Sequence, residues 1–189
     1  MNKLKINQHE VNGLVGKICR ELATGTWRPD YIVGITRGGL IPAVMISQYF
    51  NIPLHTLNVS LRDSEIGPES NLWMAEDALG PLSKERTVND DTTFKNILIV
   101  DDINDSGTTL NWIKRDWEGN CFEHDEQWDF VWGKSTRVAT LYDNQASQSQ
   151  LIPSYAAETI NKLDDPQWIV FPWEEWWWHR NPDGSRLAG

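Results

Sequence analysis

Ile97-Leu98-Ile99-Val100-Asp101-Asp102-Ile103-Asn104-Asp105-Ser106-Gly107-Thr108-Thr109 is the stretch on which the reading of this chain turns. An apolar run predicts a strand over 96–100, which delivers two adjacent carboxylates to the edge of a sheet. A small, hydroxyl-rich loop follows and opens a helix over 108–117. Such a loop offers free backbone N–H groups, Ser and Thr hydroxyls and the positive end of a helix dipole, which together suit a phosphate monoester. The paired carboxylates suit sugar hydroxyls or the water shell of a metal ion. The plainer alternative is a strand followed by an Asp-rich helix cap. Against it, two consecutive acids leaving an apolar strand are costly unless something binds them.

Working outward, Val11, Leu14, Val15, Ile18, Cys19 and Leu22 fall at the spacing of a buried helix face, and Thr24–Pro29 stops that helix. A short strand is expected over Tyr31–Ile35, a turn at Thr36-Arg37-Gly38-Gly39, a helix over Leu40–Phe50 and a second strand over Leu54–Leu61. The polar stretch Arg62–Asp91 is longer than most loops and reads as a functional flap or a poorly ordered hairpin. Gly119–Ser135 reads as an irregular, aromatic and acidic insertion. Arg137–Tyr142 is a further strand, and Tyr155–Thr159 a short one. Strand–helix–strand units in series imply an α/β fold, a mostly parallel sheet with helices on both faces. Ligands of such sheets bind beyond the carboxyl ends of the strands, so the turns after Ile35, Val100 and Tyr142 are expected on one edge.

Composition narrows the classes. With 189 residues, 23% charged and 40% hydrophobic, the chain suits one globular domain. No apolar run is long enough to span a membrane, and the N-terminus has no apolar leader, so a cytoplasmic protein without membrane contact is expected. Cys19 and Cys121 fit no metal spacing and read as thiols in a reducing compartment. A net charge of −10 argues against a nucleic-acid partner. It also means that a polyanionic ligand would need local positive charge from a few Arg or Lys, from backbone N–H groups and from a metal ion.

Two further motifs stand out. In Ile35-Thr36-Arg37-Gly38-Gly39 the glycines permit close backbone approach to a ligand and the Arg offers a fork for phosphate oxygens. Alone, this is equally a tight turn. Gln167-Trp168-Ile169-Val170-Phe171-Pro172-Trp173-Glu174 is aromatic and ends in an acid, and it reads either as a stacking platform for a flat heterocycle or as an anchor for the tail. Trp168, Trp173, Trp176, Trp177 and Trp178 set this tail apart.

The segment 97–109 resembles the PRPP (5-phosphoribosyl-1-diphosphate) signature of type I phosphoribosyltransferases. Ser106-Gly107-Thr108-Thr109 stands where that family has Thr-Gly-Gly-Thr or Thr-Gly-x-Thr. The resemblance implies that Asp101 and Asp102 hold the ribose hydroxyls and Mg²⁺, that Asp105, Ser106, Gly107, Thr108 and Thr109 cradle the 5-phosphate, and that Asp105 is the general base. It places Arg37 and Gly38 in the diphosphate loop. Gln167–Glu174 resembles the C-terminal element of xanthine-guanine phosphoribosyltransferases, which implies base contacts from Trp168, Ile169 and Glu174. Over residues 5 to 175 the resemblance implies the type I phosphoribosyltransferase fold as one domain, 1–189, with a flap at about 62–91 and a small C-terminal hood at about 150–189.

The activity implied is Mg²⁺-dependent transfer of ribose 5-phosphate from PRPP to a nucleobase, with release of diphosphate. A 6-oxopurine is the expected base. In the resembled enzymes the strand matching Arg137–Tyr142 ends in a Lys that donates to the 6-oxo group; here Asn144 stands there, an amide that either donates or accepts, which leaves adenine open. A non-catalytic PRPP-binding regulator of the same fold is the rival. A dinucleotide-binding dehydrogenase is disfavoured because no Gly-x-Gly-x-x-Gly follows a strand. Trp176-Trp177-Trp178 and the resemblance both point to a homodimer or homotetramer.

Overall fold

The computed structural model describes residues 2–59, 71–80, 94–121 and 126–174. The elements in chain order are β1 (Asn2–Lys5), α1 (Gln8–Thr24), β2 (Tyr31–Thr36), α2 (Leu40–Phe50), β3 (Leu54–Asn58), α3 (Leu72–Leu79), β4 (Ile97–Asn104), α4 (Thr108–Asn120), α5 (Trp128–Val131), β5 (Thr136–Asn144), β6 (Tyr155–Ile160) and β7 (Gln167–Val170).

Five strands form the main sheet in the order β3-β2-β4-β5-β6, every neighbour parallel. Because side chains alternate across a strand, the apolar run of β4 is split between two cores. Ile97 and Ile99 join Val33, Ile35 and Val138 under α3, α4 and α5. Leu98 and Val100 join Ile32, Ala139 and Leu141 under α1 and α2. The parallel sheet with helices on both faces is as expected, and a sheet buried on both faces explains why its strands read as unbroken apolar runs.

Helix α1 starts earlier than its apolar face does. Asn7 accepts from the Glu10 backbone N–H at 3.0 Å while the Glu10 carboxylate accepts from the Asn7 backbone N–H at 2.8 Å, a capping box that sets the start. Strands β4 and β5 are longer than expected. Both run on through polar residues, so Asp101, Asp102, Asn104 and Asn144 are all strand residues.

Three segments differ from the sequence reading. Within the expected flap of about 62–91, Leu72–Leu79 is a helix whose Met74, Ala75, Ala78 and Leu79 are buried; residues 62–70 and 81–91 lie outside the described residues. In the expected irregular insertion, α5 buries Trp128 and Val131, and Trp132 stacks on Trp128 with ring centroids 5.7 Å apart. Trp128 is therefore core, and Trp132 packs against it. Finally, Tyr155–Ile160, grouped with the hood by its position, is the edge strand of the main sheet. The smaller sheet is instead made by the two ends of the chain, β1 pairing in parallel with β7 from Asn2↔Gln167 to Lys5↔Val170. Trp176–Trp178 lie outside the described residues.

Among the described residues no helix is long and apolar enough to cross a membrane. Both cysteines are buried and neither is in a disulfide, and burial pushes the Cys19 thiol up to about 11.

Candidate active site

Parallel strands end on the same side, so β2, β4, β5 and β6 present their carboxyl ends to one edge. A cleft of about 840 Å³ opens there. Arg37, Gly38, Asp101, Asp102, Asp105, Ser106, Gly107, Thr108 and Thr109 all line it, as do Trp168, Ile169 and Glu174 from β7 and the turn beyond. Residues spread over some 140 positions of sequence are thus brought to one cavity, as roughly the separation of Arg37 from Glu174 requires for a site at a sheet edge.

The loop after β4 has the geometry of an anion cradle. Gly107 caps α4 at φ +84°, a backbone conformation open to glycine. A Cβ there would come within 2.3 Å of the Ser149 backbone nitrogen, so the loop also lies tight against the 145–151 segment. That segment is tied down by Gln148 N–H donating to the Ser106 carbonyl at 3.1 Å and Gln150 N–H donating to Asn111 Oδ1 at 2.7 Å. The Ser106 and Thr108 hydroxyls are 2.8 Å apart, and the first N–H groups of the 13-residue helix α4 are free of intrahelical bonds.

The turn after β2 is pressed against the paired acids. A Cβ on Gly38 would stand 2.0 Å from Asp102 Oδ2, and one on Gly39 would stand 2.3 Å from the Val100 carbonyl oxygen. Only glycine leaves room for both strands' ends to meet here. Arg37 is carried into the cleft on the same turn.

Electrostatically the acids form an unbalanced cluster. Burial, then the neighbouring Asp102 charge, pushes the Asp101 carboxyl well above the usual carboxylate range. Burial, then repulsion from Glu174, raises Asp102 to about 6. Glu174 is itself fixed, one carboxylate oxygen accepting from the Phe171 backbone N–H at 3.1 Å. Among the described residues no group of three or more His, Cys, Asp or Glu side chains is arranged to hold a metal ion. A strongly hydrated cation such as Mg²⁺ does not need one, since it is held by one or two carboxylates together with substrate phosphates. Two adjacent carboxyls, Asp101 and Asp102, at the mouth of the cleft fit that kind of site.

Asn144 is placed differently from the expectation. It is buried and does not line the cleft. Its Nδ2 donates to the Asp105 carbonyl at 3.0 Å and to Asp105 Oδ1 at 3.3 Å. Its Oδ1 accepts from the backbone N–H groups of Ala146 at 3.2 Å and Lys162 at 3.0 Å. An amide so fully engaged has little left for a base; it stands behind Asp105.

Lys162 was not anticipated. It sits in the turn after β6, lines the cleft, and places its ammonium 2.8 Å from Asp105 Oδ2. The clue was available: β6 is a further strand whose carboxyl end shares the functional edge. Trp168 is 41% exposed on the cleft wall, whereas Trp173 stacks on Phe171 with centroids 4.8 Å apart. Of these two tryptophans, only the first has a broad free surface to offer.

The family model described as a phosphoribosyl transferase domain matches residues 2–176. A hypoxanthine-guanine phosphoribosyltransferase of Schizosaccharomyces pombe is 26% identical, covering 85% of each chain. A xanthine-guanine phosphoribosyltransferase of Cereibacter sphaeroides is 30% identical over 79% of this chain and 71% of its own. Among solved structures, a purine phosphoribosyltransferase from Pyrococcus horikoshii superposes with a TM-score of 0.60 at 25% identity, covering 93% of this chain and 96% of its own.

Proposed function

The chain belongs to the phosphoribosyl transferase domain family, and on that premise we propose that it transfers ribose 5-phosphate from PRPP to a 6-oxopurine (hypoxanthine, guanine or xanthine) with release of diphosphate. The observation that carries this reading is the convergence, in one cleft, of the phosphate-type loop 105–109, the paired acids Asp101 and Asp102, Arg37 and the exposed face of Trp168.

In the proposed arrangement the 5-phosphate lies against the N–H groups and hydroxyls of Ser106–Thr109 at the start of α4. Asp101 and Asp102 bond the ribose hydroxyls and would hold Mg²⁺, whose chemistry there is charge neutralisation on the departing diphosphate. Arg37 adds a guanidinium fork on the same leaving group. The bond from C1 of the ribose to the diphosphate oxygen breaks and its electron pair leaves with diphosphate. The bond from C1 to the base nitrogen forms, and the proton of that nitrogen passes to Asp105, a step worth roughly 10²–10⁴-fold. Trp168 stacks on the base, with Ile169 and Glu174 at its edge.

The base assignment is supported by the relatives named for hypoxanthine, guanine and xanthine. We further propose one catalytic domain over 1–189, acting in the cytoplasm as a homo-oligomer. Steady-state rates of diphosphate release with hypoxanthine, guanine, xanthine, adenine and orotate test the assignment. A 6-oxopurine with the highest kcat/KM is expected; adenine or orotate at the top would reject it.

A further inference from the structure

The loop 105–109 does not hold its shape alone. Gly107 lies directly against the backbone of Gln148 and Ser149, and the strip they belong to is fastened at both ends. Ser147 Oγ donates to Oδ1 of the buried Asn104 at 3.0 Å, and Asn104 Nδ2 donates to Asp143 Oδ1 at 2.8 Å. Leu151 is buried in the core it shares with Leu110 and Ile113 of α4. Between those ends a half-buried side chain of α4, Asn111, clasps the strip. Its Nδ2 donates to the Gln148 carbonyl at 2.9 Å, and its Oδ1 accepts from the Gln150 N–H at 2.7 Å. Asn111 itself does not line the cleft.

The clasp bears on one peptide unit of the loop. Gln148, whose carbonyl Asn111 holds, donates its own N–H to the Ser106 carbonyl at 3.1 Å. In a trans peptide the carbonyl and the N–H that follows it point in opposite directions. Fixing the Ser106 carbonyl toward Gln148 therefore turns the Gly107 N–H away from the strip. The reverse orientation would present a carbonyl oxygen where that N–H now stands, and a carbonyl oxygen repels an anion. Gly107, at φ +84°, is also where such a reversal meets least steric resistance. The glycine that lets the loop approach a ligand leaves this peptide free to turn unless something holds it.

We propose that Asn111 is a positioning residue for the 5-phosphate subsite. Through the backbone of 148–150 it holds the Ser106–Gly107 peptide with its N–H turned to the anion, so the cradle stands formed before the ligand arrives. The proposal rests on the reading of 105–109 as the 5-phosphate loop, and it goes beyond that reading by assigning the loop's shape to a side chain outside the cleft.

The test compares wild type with Asn111→Leu, which keeps the volume and removes both bonds, and Asn111→Ala, which removes both and favours the helix. Each is checked by thermal melting. Calorimetry on the full chain uses two probes: ribose 5-phosphate, which reads the cradle, and diphosphate with Mg²⁺, which reads Arg37 and the paired acids. Apparent affinity scales with the fraction of time a site is competent, so a loop competent about a tenth of the time binds roughly 10-fold more weakly. Ribose 5-phosphate should lose roughly that factor in both variants, with diphosphate affinity unchanged. Equal weakening of both probes, or unaltered ribose 5-phosphate affinity, would overturn the role of Asn111. Hydrogen exchange on the wild type gives a reading that needs no variant. The Gln148 amide, already bonded to Ser106, should be equally protected with and without ribose 5-phosphate; protection that appears only with the ligand would show that the ligand sets the peptide. Neither probe carries a base. Selective weakening in a protein that forms no nucleotide would keep Asn111 and reject the transferase reading, whereas a wild type that binds no ribose 5-phosphate would reject both.

Discussion

Asn144 Nδ2 grips Asp105 twice, donating to its backbone carbonyl at 3.0 Å and to its Oδ1 at 3.3 Å. In the proposed mechanism the end of β5 would act on the reaction by orienting the carboxylate that follows β4. Asp105→Asn should lower kcat by roughly 10²-fold or more. Asn144→Ala should lower kcat by a smaller factor, on the order of 10-fold, with little change in KM for PRPP. Initial-rate kinetics on both variants check this. An Asn144→Ala enzyme with raised KM for the base and normal kcat would show that Asn144 binds the base instead.

Gly38 and Asp102 occupy what is nearly one space, a Cβ on the first standing 2.0 Å from Oδ2 of the second. Gly38→Ala must displace the acid or the turn. PRPP affinity should fall roughly 10- to 100-fold. Gly13, whose Cβ would meet nothing within 4 Å, provides the control, and Gly13→Ala in helix α1 should be neutral or stabilising by up to about 1 kcal/mol. Calorimetry of PRPP binding and thermal melts of both variants distinguish a local from a global effect. Equal PRPP affinity in Gly38→Ala and wild type would show the contact to be inconsequential.

The raised carboxyl of Asp102 makes a statement about stability against pH. Its proton is held up to about 6 in the folded protein but only to the ordinary carboxylate value, about 3.9, once unfolded. The folded state then binds more protons between those values, so the stability contributed by this group is fully present below about pH 4 and lost as pH rises through about 6. Asp102→Asn removes the penalty at pH 7.5 and nothing at pH 4. A gain on the order of 1–2 kcal/mol at pH 7.5 is expected after allowing for solvent screening, or roughly 3–6 °C in Tm. Melts at the two pH values check it; a loss of stability at pH 7.5 would show Asp102 to be favourably compensated without ligand.

Trp176-Trp177-Trp178 place three large aromatic side chains in succession in a chain of net charge −10. Such a cluster fits an interface better than a solvated tail. Light scattering at micromolar protein should give a mass of two or four chains, and truncation after Glu175 should lower it. A monomeric mass for the full chain would reject the homo-oligomer.

Legibility of the sequence followed burial. The strands of a sheet covered on both faces are unbroken apolar runs, so β2, β4 and β5 were visible, and with them the edge on which Asp101–Thr109 and Arg37 meet. Helix α3 was hidden because Leu72–Leu79 is short and flanked by Gly, Pro and Ser, which read as loop. Trp128 and Trp132 were hidden because acidic neighbours mask an apolar cluster formed with Trp117 from a different helix. The placements of Asn144 and Lys162 were not legible because they depend on contacts across 39 and 18 positions, between Asn144 and Asp105 and between Asn144 and Lys162. No local pattern announces a strand-end amide that holds one residue by its side chain and another by its backbone.

The most direct measurement is product formation itself. Purified protein, PRPP, Mg²⁺ and guanine are incubated, and the reaction is resolved by liquid chromatography with mass detection. The account predicts the guanine 5′-monophosphate and diphosphate in equal amounts, with none when either PRPP or the base is omitted. Binding of PRPP without nucleotide from guanine, hypoxanthine or xanthine would contradict it and leave the cleft a regulatory sensor of PRPP.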